Sequence, residues 1–242
     1  MGENAKVLTE IIFNIIYLVA VWCLVIAMVK RRAHVAQDEW GAALWILLAF
    51  AFLALGDTGH VGFRVIAYAL GGLETAITLF GEEMNLAALG SLSTAWTFTF
   101  FYVCMVFMWK ARYSRKLGMI AWLVLAAAVV RSIIMLVPGN EWTSLTSPRP
   151  IYIIRNFPLM LMQLGMIYLI MRDAKASNDS TFIWIGIMIV ISFVCYAPVV
   201  AFIHSYQPVG MLMIPKTLAY LGIAIIGFKN LFARKQVSEA LA

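Results

Sequence analysis

Seven stretches of the chain are almost continuously apolar, at residues 7–29, 40–70, 86–109, 118–137, 151–171, 181–203 and 209–232. A helix needs about 20 apolar residues to cross roughly 30 Å of hydrocarbon. Each stretch is near or above that length and predicts one transmembrane helix. The segments between them are short, and neither a Pro/Ser-rich linker nor an internal repeat divides the chain. The pattern predicts an all-α integral membrane protein, a seven-transmembrane-helix bundle in which residues 1–242 form a single domain.

Composition supports the membrane class, with 63% apolar and only 12% charged residues, far from the soluble average. The placement of the 18 Lys and Arg adds an orientation. Lys30, Arg31 and Arg32 follow the first span. Lys110, Arg112, Arg115 and Lys116 follow the third, Arg172 and Lys175 the fifth, and Lys229, Arg234 and Lys235 the seventh. The alternate connections carry Glu74, Glu82, Glu83 and Glu141 with Arg149 as their one base. By the positive-inside rule the N-terminus is expected outside and the C-terminus in the cytoplasm, as in a multi-pass protein of the plasma membrane. The net charge of +6 is then mostly this bias. It is spread over short loops rather than gathered on a basic face, so no nucleic acid partner is expected.

The opening "MGENAKVLTE" is acidic and lacks a basic n-region or small-residue cleavage site, so it reads as the start of the first span. Cys23, Cys104 and Cys195 fall singly in separate spans. That distribution speaks for packing, and against a disulfide framework or a zinc site.

Six bases lie away from the cytoplasmic loops, and four of them, Arg64, Arg131, Arg155 and Lys216, fall inside predicted helices. Each would cost roughly 2.5–3.5 kcal/mol at the bilayer centre. Snorkelling explains one such side chain more easily than four. With the second, fourth and sixth spans running outward, all four cations fall in the outer half. So do Asp57, His60, Ser91, Ser93, Thr94, Thr97, Asn156 and Tyr196. The inner half is nearly bare of such groups apart from Gln163. A polar pocket in the outer half of the bundle is the expectation.

The stretch "LGDTGHVGFRV", residues 55–65, belongs to this set. At 100° per residue Asp57, His60 and Arg64 fall within about 60° of one another, over roughly 10 Å of one helix face. Gly56, Gly59 and Gly62 take broadly the opposite side, where small residues admit a neighbouring helix. Further spans add "RNFP" (155–158), "SFVCYAP" (192–198) and "MLMIPKTLAY" (211–220). They bring Asn156, Tyr196 and Tyr220 beside prolines that suggest irregular backbone around a cavity. Met160, Met162, Met166, Met211 and Met213 would suit a flexible apolar ligand there.

Cations exceed Asp57 and Glu74 in this pocket, and guanidinium groups suit carboxylates and phosphates. Besides the lipid bilayer, the partner expected is therefore an anionic amphiphile or a small organic anion; a homo-oligomer is compatible with the sequence. No cofactor is identified. Three classes of function follow. In an enzyme acting on an anionic lipid-like substrate, Asp57 and His60 form the catalytic acid/base pair. Arg64, Arg131, Arg155, Asn156, Tyr196, Lys216 and Tyr220 then bind the ligand. In a transporter or ligand-binding protein the same groups bind without chemistry. In the third class, seven helices, an outside N-terminus and a lysine in the last helix resemble the microbial rhodopsins in topology. That resemblance implies retinal on Lys216, although the third span lacks the carboxylate and arginine of the family's counter-ion complex. His34, His60 and His204 are too scattered to suggest a metal site.

Overall fold

A computed structural model describes residues 3–79 and 81–233, with side chains from residue 12 onward. Arg234 and Lys235 lie outside the described residues, as does the side chain of Lys6. Seven helices follow in order: α1 (Glu3–Lys30), α2 (Trp40–Leu70), α3 (Leu86–Arg112), α4 (Met119–Leu136), α5 (Arg149–Ala176), α6 (Ser180–Phe202) and α7 (Met213–Gly227). All seven are long and apolar enough to cross a membrane, counting the short turns that flank α7. The architecture is that of an integral, multi-pass helical bundle.

Local chemistry sets the ends. α2 stops at Gly71 and Gly72, both at positive φ (131° and 128°), a conformation that costs glycine no Cβ clash. The Asn85 side chain accepts a hydrogen bond from the Ala88 amide and caps α3; Asp179 does the same for α6 through Phe182. Between α2 and α3 the chain forms an antiparallel hairpin, β1 (Ala76–Leu79) against β2 (Glu82–Asn85), with Thr78 opposite Glu83 and Gly81 at φ 88° in the turn. The apolar pattern carries no sign of it.

The expectation of irregular backbone at the prolines is corrected. α5 and α6 run without interruption through Pro158 and Pro198. Pro215 lies in the first turn of α7, where no intrahelical bond is lost. Irregular helix instead flanks α7, as a 3-10 turn at Gln207–Leu212 and a π turn at Phe228–Phe232.

Successive helices pack side by side, α1 and α2 both meet α7, and α3 reaches across to α5, so the bundle closes into a ring. Its tightest seam joins α2 to α3. A Cβ at Gly90 would lie 3.0 Å from the His60 Cα, and one at Gly59 would lie 2.9 Å from the Ser93 Cβ. Gly56 sits as close to Thr97, while Thr94 Oγ1 donates across the seam to the Gly56 carbonyl at 3.2 Å. Gly62 faces open space and is no part of the ridge. Outward-facing side chains are large and apolar, such as Trp122, Val129, Ile133 and Leu136 on α4. A helix face of that kind fits hydrocarbon and not water.

Candidate anion site

The half of the bundle that bears the hairpin and the α4–α5 connection holds a cluster of buried polar side chains. Arg131 comes from the last third of α4 and is 2% exposed, yet its Nε and Nη1 have no hydrogen-bond partner. Its electrostatic neighbours are Arg155 and the hydroxyls of Tyr196, Tyr102 and Tyr220. Lys216, in the first turn of α7, is also buried. Its ammonium makes no hydrogen bond or ion pair with a described residue and sits over three rings. The centroids of Tyr196, Phe98 and Tyr220 lie 4.4, 4.6 and 5.9 Å away. The charges of Arg131 and Asp57 both act on it. Asp57 lies half-buried on α2, with Tyr17 of α1 and Lys216 of α7 as its electrostatic neighbours.

Around these groups most other polar atoms are paired, the Ser192 hydroxyl and Gln163 Oε1 excepted. Tyr196 donates to Asn156 Oδ1 at 2.8 Å, and Asn156 donates to the Tyr152 carbonyl at 2.9 Å. Tyr220 and Tyr102 share a hydrogen bond, and Gln163 Nε2 donates to both hydroxyls at 3.1 Å, leaving its own Oε1 unpaired. Arg155 holds the α4–α5 connection. Its Nη1 donates to Ser147 at 2.8 Å and to Asn140 at 3.4 Å, and its guanidinium lies 4.5 Å from the Trp142 ring centroid. Asn140 in turn donates to the Ile134 and Val137 carbonyls, folding the connection back on the end of α4.

No family model, curated protein or solved structure matches the chain.

Seven of the residues read from the sequence are brought near one another: Asp57, Arg131, Arg155, Asn156, Tyr196, Lys216 and Tyr220. His60 and Arg64 form a separate pair one turn along α2, with Nε2 and Nη1 3.4 Å apart. No hydrogen bond joins Asp57 to His60. His60 also leaves Nδ1 unpaired against the α2–α3 seam.

Several other expectations change. Glu74 is exposed. The hydroxyls of Ser91, Thr94 and Thr97 bond to backbone carbonyls one turn back on α3, and so serve helix packing rather than a pocket. Met162 and Met166 are buried, but Met211 is 71% exposed on the outside, so the methionines do not line one space. Cys104 packs inside, whereas Cys23 faces outward. Tyr17, Tyr102 and Phe98, none flagged by the sequence pattern, belong to the cluster. Aromatic residues in an apolar helix give no charge signal.

The opposite end of the bundle is less bare than its hydropathy suggests. Asp173, 2% exposed, accepts from Trp109 Nε1 at 2.8 Å and pairs with Arg172 and Arg115 at 2.8 and 3.2 Å. Arg112 bridges Glu39 and Asp179, at 2.8 Å each, beside a cleft of about 390 Å³. Burial, with the Asp179 charge nearby, pushes the Tyr113 phenol above its ordinary range. Acids lying among basic loop residues neutralise them and tie the connections together.

Proposed function

We propose that the chain is a membrane-embedded binding protein, a receptor or transporter, whose anionic ligand sits between Arg131 and Lys216. The Arg131 guanidinium carries this reading, being buried with Nε and Nη1 unpaired and without an ion pair to a carboxylate among the described residues. A buried donor without a partner costs about 1–3 kcal/mol, more when charged. A carboxylate or phosphate oxygen would remove that cost through charge-assisted hydrogen bonds. With the N-terminus outside, the site lies in the outer half of the membrane, within reach of a phospholipid, lysolipid, isoprenoid phosphate or small organic anion. Acid/base turnover by Asp57 and His60 has less support, because no hydrogen bond joins the two side chains and His60 Nε2 faces Arg64 instead. The test is mild extraction followed by mass spectrometry of bound small molecules. An anionic compound should accompany the native protein and be missing from Arg131→Gln; equal retention by both would remove Arg131 from the site.

A second reading is favoured by the rings around Lys216. A lysine without hydrogen bonds, caged by Phe98, Tyr196 and Tyr220, with Asp57 in its field, fits a retinal-like aldehyde. Such a group, bound covalently to the amine with loss of water, would supply light absorption. Lys216 would hold it, and Asp57, from α2, would supply the counter-charge that α3 lacks. Arg131 counts against this reading, since a hydrocarbon chromophore leaves that charge uncompensated. Visible absorption after incubation with retinal would decide for it.

A further inference from the structure

Resting on the anion-binding reading, we propose that the site between Arg131 and Lys216 takes a compact dianion, the terminal phosphate of a phosphate monoester or free phosphate, rather than a single carboxylate. Two observations lead there. First, the cluster holds three formal cations, Arg131, Arg155 and Lys216, against one carboxylate, Asp57, so two positive charges remain uncompensated among the described residues. Arg155 is hydrogen-bonded only to the neutral Asn140 and Ser147, so its charge still bears on Arg131. A monoanion would leave one charge over among buried side chains.

Second, the cationic donors left open are Arg131 Nε, Arg131 Nη1 and Lys216 Nζ, with the buried Ser192 hydroxyl also unpaired, while Asn156, Tyr196 and Tyr220 are already engaged with protein partners. Three donors carried by two cations match the three terminal oxygens of a phosphate monoester, whose charge at neutral pH is about −1.5 to −2. A carboxylate offers two oxygens and half the charge. A dicarboxylate spreads its charge over two separated groups, whereas Arg131 and Lys216 share Tyr196 and Tyr220 as neighbours and their charges bear on each other.

The experiment measures thermal stability of the full chain in detergent at pH 7.5 against rising sodium phosphate, sulfate, acetate, succinate and chloride at constant ionic strength. A parallel series uses nanodiscs of phosphatidylcholine containing phosphatidic acid, a monoester, or phosphatidylglycerol, a diester. Phosphate and sulfate should stabilise at concentrations where acetate and chloride do nothing. Arg131→Gln and Lys216→Gln should each weaken that effect about thirtyfold or more; either variant alone suffices if the other does not fold. Stabilisation by phosphatidic acid at levels where inorganic phosphate is silent identifies a lipid headgroup, and the reverse identifies a soluble phosphate. Acetate, chloride or phosphatidylglycerol acting as strongly as the dianions would overturn the dianion assignment and leave an anion site standing. Succinate outdoing phosphate would likewise overturn it, in favour of a dicarboxylate. If no anion stabilises the protein, the anion-binding reading fails together with this one.

Discussion

Arg131 is the side chain whose surroundings least resemble those of a settled structural residue. A guanidinium that only braced the fold would be expected to use its donors, as Arg155 does on Ser147 and Asn140 and as Arg112 does on Glu39 and Asp179. Two of the Arg131 nitrogens are unused. The expected consequence is a trade between stability and binding. Arg131→Met, similar in length and free of charge, should make the ligand-free protein more stable by about 1–3 kcal/mol, because desolvation and repulsion from Arg155 are relieved. The same substitution should abolish stabilisation by anions. Thermal unfolding in detergent, with anions removed, measures the first effect; a variant less stable than its parent would show that Arg131 has a protein partner after all.

Among the elements, α2 shows what a hydropathy pattern can and cannot convey. Its bounds at Trp40 and Leu70 coincide with the apolar stretch, because length and hydrophobicity fix a membrane helix without reference to its neighbours. The face assignment followed in part. Gly56 and Gly59 meet α3 as their spacing suggested, whereas Gly62, one turn further on, meets nothing. Helical periodicity places residues on a face but does not say how far along that face the partner helix stays close. Gly59→Leu should therefore lower stability or assembly sharply, while Gly62→Leu should leave the detergent melting temperature unchanged within error. Equal effects at both positions would dissolve the distinction. For the site, charged residues in apolar runs were legible as anomalies, and Arg131, Arg155, Asp57 and Lys216 were found that way. Tyr17 and Tyr102 were not, since phenols are common in membrane helices. Asn140, Trp142 and Ser147 were hidden for another reason, because their contact with Arg155 depends on how the α4–α5 connection folds back.

For the molecule as a whole, the seam between α2 and α3 divides the bundle unequally. Backbone meets backbone at Gly90, Gly59 and His60, and Thr94 bonds across to the Gly56 carbonyl. Two helices in such contact cannot slide without opening a gap or forcing a clash. They would act as one stiff plank, and amide hydrogens along it should exchange more slowly than those of α4 when the protein is followed by mass spectrometry. Uniform exchange across both would argue against the division. Asp57 rides on the plank, whereas Arg131 and Lys216 are carried by α4 and α7. A guest that drew the two cations together would pull on α4 and α7 while the carboxylate stayed fixed, so that filling the space between them becomes a displacement of the rim against a stationary spine.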